Sequence, residues 1–549
     1  MTMNLGQREF HIAPMIDVST VEFRYFVRLL TKRAVIWSQM VVAETLVHRS
    51  RIRRRKHLKE SNDESSREKR SPSPGGTGEG DGGVELTDDL IKYCGWWDGD
   101  GVGGVEDDVS PHPTVCQIGS NDPAEAAFAT RVARGCGYDG VDLNCECPSD
   151  RVAGRSFGAA LMKDGDSAAE IVSSMVRTAS RSPAGGAKLP VSVKTRIGVD
   201  ESDSFEFIEN FIRRLVDAGC EQFVIHARKV YTQGLSPAQN RDIPPLDYPR
   251  VFRLMKKFPH CSFLMNGGIM SLDHARQIAF GSATKFDECG RGKNESIPLN
   301  EAGDDHIAVP CERCNLPHGS CLHPPNTAPP NLRGVMVGRL ARDRPADLAD
   351  VDRSFYGEAS NPCNTRRELM NKYISFLERV YPRRCCDDDQ TITLGMAKEM
   401  QTRIILKRPC CSICREFRGN SGEGADVAPI ETAPNEKSLE VQPLATANGG
   451  NPPRKQGGKR SRRHAKYDGA KIVTRIIDKA LQPTWGILAG EPGQKAFRRV
   501  SHELSRDKTA RNCGPGYILF RAMKSVSDDV WDKPFESSGE KETTYYPTK

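Results

Sequence analysis

The feature that most constrains the fold of this chain is a series of short apolar runs, rich in β-branched residues, that alternate with segments of helical pattern. Eight such runs occur: His11–Met15, Val35–Val42, Thr114–Gly119, Gly140–Cys147, Pro190–Gly198, Gln222–Arg228, Ser262–Ile269 and Gly334–Arg339. Strands that alternate with helices favour a parallel sheet, because each helix returns the chain to the edge where the next strand starts. Eight units predict a closed (β/α)8 TIM barrel of the α/β class, with an open doubly wound sheet as the alternative.

The segments between the runs begin and end like helices. Asp122 and Pro123 provide an N-cap and a first-turn proline for one of them, which we expect to end at Gly135. Serine before and glycine after the apolar positions repeat this pattern in Ser204–Gly219 and Ser271–Gly281. Helical periodicity also continues beyond the last predicted strand, over Arg366–Val380 and Lys471–Leu504. A mainly α-helical domain is therefore predicted to follow the barrel.

Three stretches of low complexity interrupt the alternation of predicted strands and helices. They are interpreted as insertions that form loops outside the core. They are polar, rich in proline, glycine or charge, and span 49–108, 282–331 and 408–467. We predict a barrel over 8–348 that carries the first two insertions. A helical domain over 349–510 carries the third, and 511–549 is predicted to be a C-terminal tail.

Composition bounds the class of protein. Only 37% of the residues are hydrophobic, and no stretch approaches the roughly 18 consecutive apolar residues that a membrane span requires. The N-terminus has neither an apolar signal core nor a basic amphipathic leader. The 18 cysteines are spread over 549 residues, which indicates reduced thiols rather than a disulfide scaffold. We expect a soluble intracellular protein, in the cytoplasm, with an organelle or the nucleus as alternatives. The net charge of +7 is compatible with a polyanionic partner.

Polar side chains cluster where the predicted strands end. TIM barrels carry their catalytic groups at the carboxyl ends of the strands, and packing alone would not place polar residues at seven of these eight ends. The pattern predicts a catalytic site, and its candidate residues are Pro14, Met15, Gln117, Asn144, Cys147, Lys194, Arg196, His226, Arg228, Asn266, Gly267, Gly268, Gly338 and Arg339.

The last two predicted strands are each followed by glycine and a polar residue, in Asn266–Gly268 and in Gly338–Arg339. Loops at this place in a TIM barrel often bind phosphate, since exposed N–H groups and a nearby cation attract a dianion. Single glycines also occur in ordinary turns. Their repetition at two strands nevertheless predicts a cofactor that carries phosphate.

The segment Asn144–Arg151 contains the sharpest candidate, Cys147, at the end of a predicted strand. A cysteine there can act as nucleophile, metal ligand or proton donor, and a buried inert thiol is the alternative. The spacing of Cys145 and Cys147 does not suit a structural zinc site. No metal is predicted, apart from a weak C-x2-C-x6-C-x-H candidate formed by Cys311, Cys314, Cys321 and His323.

Taken in order, the strand ends resemble those of the tRNA-dihydrouridine synthases. The shared motifs are APM, QIGSNDP, N-x-x-CPSDRV, VKTRIG, IHAR, NGGI and VGR. Two further ranges, 231–251 (YTQGLSPAQNRDIPPLDYPRV) and 490–499 (GEPGQKAFRR), resemble the A-type subgroup in particular. The resemblance covers nearly the whole chain outside the three insertions.

This resemblance implies a barrel that holds FMN, a helical domain behind it, and a tRNA bound between the two. It implies that NADPH reduces the flavin, that hydride passes to a uracil in the tRNA D-loop (positions 20 and 20a), and that Cys147 supplies the proton. The residues that match FMN contacts are Pro14, Met15, Gln117, Lys194, His226, Asn266, Gly267, Gly268, Gly338 and Arg339. No obligate protein partner is implied.

The positions that match tRNA contacts of the family are Asn144, Arg151 and Arg241. The helical domain is also expected to bind phosphates of the tRNA, through Lys495, Arg498 and Arg499. The alternative is that these three residues form a basic helix face that is only solvated.

One departure from the family concerns Glu146, which precedes Cys147 where the family usually has glycine. Glycine there permits backbone conformations closed to other residues. A glutamate could therefore distort the loop, or its charge could raise the pKa of the neighbouring thiol. Two other functions stay open: an FMN-dependent barrel oxidoreductase that acts on a small molecule, and a degenerate RNA-binding homologue.

Overall fold

The structure is a computed structural model that describes residues 8–51, 86–95, 109–148, 157–181, 187–281, 328–381 and 469–535. The described strands are β1 (Glu9–Ile12), β2 (Val35–Trp37), β3 (Val41–Val42), β4 (Thr114–Gly119), β5 (Gly140–Cys145), β6 (Val191–Arg196), β7 (Gln222–His226), β8 (Ser262–Asn266) and β9 (Leu332–Val337). Their order in the sheet is β2-β1-β9-β8-β7-β6-β5-β4-β3, and β2 also pairs with β4. The pairing between β2 and β4 closes an eight-stranded barrel, so the predicted TIM barrel is confirmed and the open sheet is wrong.

All the pairings in this sheet are parallel, and helices connect the strands. The helices of the barrel region are α1 (Val21–Leu30), α2 (43–51), α3 (Asp88–Cys94), α4 (Pro123–Cys136), α5 (Gly165–Ser180), α6 (Phe205–Asp217), α7 (Tyr248–Lys257), α8 (Leu272–Phe280) and α9 (Arg339–Asp343). The predicted run Val35–Val42 is divided between β2 and β3, and β3 only extends the edge beside β4.

The start of α4 follows its sequence signals, but its end does not. The Asp122 side chain accepts a hydrogen bond from the Glu125 N–H at 2.8 Å and caps the helix. The predicted end at Gly135 is wrong, because α4 continues to Cys136. Gly137 adopts the left-handed conformation, with φ 95°, that glycine supplies at a helix C-terminus. Of the two nearby glycines, the one that takes the left-handed conformation decides where the helix ends.

The barrel interior is set by the alternation of side chains along each strand. Residues two apart on a strand face the same side of the sheet. The side chains that pack inside the barrel form a separate buried cluster that includes Trp37, Val224, Leu264 and Met336. The next inward position on each strand lies at its carboxyl end, so the same alternation that fills the barrel also aims the strand-end side chains into its mouth.

Helices also make up the region that follows the barrel. They are α10 (Val351–Tyr356), α11 (Arg366–Val380), α12 (Gly469–Leu481), α13 (Gln494–Leu504), α14 (Lys508–Asn512), α15 (Gly514–Met523) and α16 (Asp528–Asp532). The region docks on α1 of the barrel through aromatic contacts. The rings of Tyr25 and Phe376 stack with centroids 3.7 Å apart, and Phe26 meets Tyr373 edge to face. Burial of aromatic surface therefore fixes this contact.

The predicted tail over 511–549 needs correction in its described part, because α15 belongs to the helical domain. Ile518 and Leu519 are fully buried, and α15 packs against α11 and α13. The helix starts with Gly-Pro-Gly, which is a turn signal in the sequence. Proline is nevertheless tolerated in the first turn of a helix, because the backbone N–H groups there have no partner within the helix. The apolar residues that follow then decide the conformation.

The first predicted insertion, 49–108, also contains residues of the core. Thr87 caps α3, and Leu90 and Cys94 of this helix are each 1% exposed. The Tyr138 hydroxyl donates a hydrogen bond to the Cys94 carbonyl at 2.8 Å. This part of the range is therefore packed structure, and the expectation of a low-complexity excursion does not hold for 86–95.

The predicted bounds of the first two insertions also need correction, because residues 49–51 belong to α2 and the Asn331 amide donates hydrogen bonds to the carbonyls of Met255, Phe258 and Cys261. The remaining predictions for the insertions fall on residues 52–85, 96–108, 282–327 and 408–467, which lie outside the described ranges. Of the helices that the structure describes, none has the length and apolar content to cross a membrane.

Candidate active site

The carboxyl ends of the strands enclose a cavity of about 810 Å³. It brings together residues that are widely separated in sequence, because consecutive parallel strands end at one edge of the barrel. The predicted site residues that line it are Pro14, Met15, Gln117, Asn144, Cys147, Lys194, Arg196, His226, Arg241, Asn266, Gly267, Gly268, Gly338 and Arg339. Arg228, also a predicted candidate, does not line it. Arg151 lies outside the described residues.

A chain of buried hydrogen bonds crosses β4 and β5 at the wall of this cavity. The Asn144 amide donates to Gln117 Oε1 at 3.0 Å, and the Gln117 amide donates to Asp142 Oδ2 at 2.9 Å. Ser192 donates to the other oxygen of Asp142 at 2.9 Å. Burial raises the pKa of Asp142 to about 8, against the effect of these hydrogen bonds. The chain fixes the orientation of both amides, since each has a defined donor and acceptor.

Cys147 lies at the end of this series of hydrogen bonds and lines the cavity. Its backbone N–H donates to Asn144 Oδ1 at 3.1 Å, and its carbonyl accepts from the Ala159 N–H at 3.1 Å. Cys145, two residues earlier, is fully buried outside the barrel interior, and burial raises the pKa of its thiol well above the ordinary value. Of these two thiols, Cys147 is the one that faces the cavity. The alternative of a buried, inert thiol therefore applies to Cys145 and not to Cys147.

Three basic side chains surround the Glu146 carboxylate, which lines the cavity. Glu146 Oε2 lies 2.6 Å from Lys194 Nζ, 3.6 Å from His226 Nδ1 and 3.9 Å from Arg196 Nε. Lys194 also donates to Asn266 Oδ1 at 2.9 Å. A carboxylate with these groups around it is held by its partners rather than by solvent.

The pKa values in this cluster reflect burial and the charges nearby. Burial alone would raise the pKa of Glu146, but Lys194, His226 and Arg196 outweigh it and hold that pKa well below its usual range. Burial lowers the pKa of Lys194, against the attraction of Glu146. Burial and then the Arg196 cation lower the pKa of His226 well below its ordinary value. The imidazole is therefore neutral near neutral pH, and Glu146 is ionised.

The loop after β8 approaches the cavity with its backbone. Gly267 and Gly268 have φ values of 110° and 68°, in the left-handed region that favours glycine. A Cβ atom on Gly267 would lie 2.7 Å from the His226 ring, and one on Gly268 would overlap the Leu246 side chain. Glycine at both positions therefore leaves the peptide groups open to a ligand where side chains would not fit.

Arginines gather at the mouth of the cavity near Gly338. Arg241, Arg339 and Arg342 all line it. Arg339 pairs with Asp242, and Arg342 pairs with Asp343. Within the described residues the Arg241 side chain has no hydrogen bond or ion pair, and burial together with the other two arginines lowers its pKa. Such a group of cations favours binding of an anion.

The three basic residues predicted in the helical domain lie on α13 and do not line the cavity. Phe497 buries the opposite side of this helix, and its ring meets Trp531 edge to face at 5.5 Å. Lys495, Arg498 and Arg499 are exposed, at a spacing that places them on one side of a helix. We call these three residues the basic face.

Sequence reasoning does not assign several residues that line the cavity. Tyr93 comes from α3, inside the range predicted to be an insertion, and no local signal points to it. Glu146 stands out in the sequence only as a departure from the family. Arg196, by contrast, is a predicted strand-end candidate, and its Nε atom is buried without a hydrogen-bond partner in the described structure.

The metal candidate Cys311, Cys314, Cys321 and His323 lies outside the described residues. Within the ranges that are described, no group of three or more His, Cys, Asp or Glu residues has the arrangement of a metal site.

The fold and this cavity place the chain among the TIM-barrel proteins that build a polar binding site at the carboxyl ends of their strands. Within that class, a family model described as dihydrouridine synthase matches residues 11–69 and 104–293. The tRNA-dihydrouridine(20/20a) synthase of Escherichia coli K12 is 32% identical over 371 residues, which cover 67% of this chain and 76% of that protein.

Relatives from two other bacteria carry the same name, tRNA-dihydrouridine(20/20a) synthase. The Vibrio cholerae protein is 30% identical over 369 residues, covering 67% of this chain and 79% of its own length. The Salmonella typhimurium protein is 30% identical over 427 residues, covering 77% of this chain and 93% of its own length. The chain belongs to the dihydrouridine synthase family.

Proposed function

We propose that this protein is a tRNA-dihydrouridine synthase that uses FMN and NADPH to reduce uridine to 5,6-dihydrouridine in the tRNA D-loop. The observation that carries the proposal is the position of Cys147, which lines the same cavity as Lys194, His226 and Asn266. The group that we propose as proton donor and the groups that we propose to bind the cofactor thus line one cavity. The names of the relatives support tRNA as the substrate and positions 20 and 20a as the targets.

The residues present fit FMN. The arginines at the cavity mouth and the open peptide groups of Gly267 and Gly268 suit a phosphate dianion. Deeper in the cavity, the Gln117 and Asn266 amides and the Lys194 ammonium suit the polar edge of a flavin ring. The buried Nε of Arg196, which has no hydrogen-bond partner among the described residues, leaves a donor for a ligand.

Bound FMN would supply the hydride for C6 of the uracil, with NADPH as its reductant. The protein then has to orient the base, exclude water and provide a proton for C5. Asn144 orients the Cys147 backbone through its Oδ1 atom, and Gln117 holds the Asn144 amide in turn. A cysteine thiol with an ordinary pKa of about 8.5 is mostly protonated near neutrality, so it can act as a general acid.

The substrate base must leave the RNA fold to reach the cavity, and its flanking phosphates need anchors outside. We assign this role to Arg241, which lines the mouth, and to the basic face. Arg151 is proposed to contribute as well, on the basis of the family motif alone. We expect the reaction to take place in the cytoplasm, with no metal and no obligate protein partner.

The proposal is tested by following NADPH oxidation by the full chain, with FMN, in the presence and absence of tRNA. We expect a yellow protein whose turnover requires tRNA. Turnover that proceeds with a small molecule and ignores tRNA would favour an FMN-dependent barrel oxidoreductase instead. A colourless protein that binds tRNA and takes up no added FMN would favour a degenerate RNA-binding homologue.

A further inference from the structure

Two carboxylates line the cavity in the described part of the chain, and they differ in their surroundings. Asp17 lies at the exposed rim. Glu146 lies inside, and its side chain is 16% exposed. The roles assigned so far use the cations and amides of the cavity and give no part to this inner negative charge.

Glu146 neutralises the cation that is best placed to meet a cofactor. Lys194 is 1% exposed, and its ammonium group is directed to Glu146 at 2.6 Å and to Asn266 at 2.9 Å. Removing Glu146 would leave Lys194 with one amide partner. The Arg196 cation and the neutral His226 ring are 3.9 Å and 3.6 Å from the same carboxylate oxygen. One carboxylate therefore reduces the positive potential of the whole inner cavity.

The backbone around Glu146 fixes this carboxylate relative to the thiol. Asn144 Oδ1 accepts from the Glu146 N–H at 3.3 Å and from the Cys147 N–H at 3.1 Å. The carboxylate and the proposed proton donor thus belong to one turn at the end of β5. A substitution at Glu146 changes the charge in the cavity while the hydrogen bond to Cys147 can persist.

We propose that Glu146 is a built-in counter-charge that lowers the reduction potential of the bound flavin, an inference that rests on the FMN chemistry proposed above. Two-electron reduction adds negative charge to the flavin ring, and a nearby cation stabilises that charge. With Glu146 in place, Lys194 is already paired, so the reduced cofactor gains less from the site than it would beside a free ammonium. The bound flavin is held as a stronger hydride donor as a result.

The test compares Glu146→Gln with the parent chain. Glutamine has the shape of glutamate and no charge, so the variant keeps the packing of the loop. FMN affinity is measured by fluorescence titration for the oxidised and the reduced cofactor, and the midpoint potential is measured against reference dyes. We expect Glu146→Gln to favour reduced over oxidised FMN by about tenfold or more. For a two-electron couple, tenfold corresponds to a rise of about 30 mV.

Two further variants keep the test decisive. Glu146→Gly removes the side chain altogether and should raise the potential in the same direction, which guards against an effect of the glutamine amide. Asp17→Asn removes the same charge from the exposed rim, where solvent screens it, and should leave the potential at the parent value.

The outcomes separate this inference from the proposed function. FMN that binds to the parent and keeps the same potential in Glu146→Gln and Glu146→Gly overturns the role of Glu146 and leaves the synthase standing. An equal rise in Asp17→Asn also overturns it, because the effect would then be one of net charge. A parent chain that takes up no FMN overturns the proposed function itself, and this inference with it.

Discussion

The cavity at the strand ends and the basic face of α13 both carry positive charge, but they hold it in opposite ways. In the cavity, Lys194 is 1% exposed and its partners are Glu146 and Asn266. On the basic face, Lys495, Arg498 and Arg499 are exposed, and none forms an ion pair with another described residue. One region fixes each charge by geometry, and the other presents charge to the solvent.

This difference determines how the two regions respond to change. A buried charge depends on its particular partner, so removal of one group leaves the other uncompensated in a medium of low polarity. Exposed charges act at longer range and are screened by salt. Substitutions in the cavity should therefore have large effects that depend little on salt, whereas those on the basic face should have small effects that depend on it strongly.

The largest effect is expected for Cys147→Ala. The substitution removes the proposed proton donor and no group that is proposed to contact FMN. General acid catalysis typically contributes about 10²–10⁴-fold to rate, and turnover should fall by that factor while FMN and tRNA still bind. The measurement is the single-turnover rate of dihydrouridine formation.

Cys145→Ala is the matched control, because it removes a thiol two residues away that is buried outside the barrel interior. Its turnover should stay near that of the parent. If Cys147→Ala also forms dihydrouridine at close to the parent rate, Cys147 is not the acid.

An intermediate effect is expected for Gly267→Ala. Alanine in the left-handed region costs roughly 1–2 kcal/mol, and here its Cβ would also press on the His226 ring at 2.7 Å. FMN affinity should fall by about tenfold or more, since about 1.4 kcal/mol corresponds to a factor of ten. Fluorescence titration of FMN provides the measurement.

Gly357→Ala separates backbone strain from the effect on the site. Gly357 has a similar left-handed φ of 74°, and a Cβ atom at this position would have no described neighbour within 4 Å. This control should lose stability in thermal unfolding but bind FMN like the parent. Equal FMN affinity in both variants would show that the loop after β8 does not contact the cofactor.

The smallest effect is expected for the double change Arg498→Ala and Arg499→Ala. Each lost phosphate contact flattens the dependence of log affinity on log salt by about 0.7–0.9. Affinity for tRNA should fall several-fold at low salt. The slope of log affinity against log salt should flatten by up to twice the amount expected for one contact, since two arginines are removed. Reduction of FMN by NADPH should not change. Filter binding over a series of salt concentrations measures both quantities.

The control for this pair is Arg177→Ala with Arg181→Ala, which removes two exposed arginines at and just after α5 on the outside of the barrel. A slope that changes equally in both double variants would indicate a general charge effect. It would remove the basic face from the proposed tRNA contact.

Much of the site could be predicted because the barrel converts sequence periodicity into position. Gln117, Asn144, Lys194, His226 and Asn266 each follow an inward-facing residue by two positions, so alternation alone directs them to the mouth. The sequence does not reveal which side-chain groups pair there. The contact between Glu146 and Lys194 depends on how the turn after β5 folds over β6, and Glu146 could be recognised only as an unusual residue.

The predictions that were wrong for the segments of α3 and α15 share another cause. Both α3 and α15 are short helices flanked by turn-forming or low-complexity sequence, so local signals favour loops at each. Leu90 and Ile518 become helical core residues through contacts with distant segments. Tertiary packing decides such elements, and a single sequence carries little local trace of it.

The central claim is that this chain reduces uridine in tRNA, and the product tests it most directly. The full chain is incubated with FMN, NADPH and an unmodified tRNA transcript, and the digested nucleosides are analysed by mass spectrometry. We predict a uridine derivative heavier by two hydrogen atoms, located in the D-loop and absent when NADPH is left out. Unmodified uridine at every position, from a protein that is yellow and that NADPH reduces, would contradict the claim.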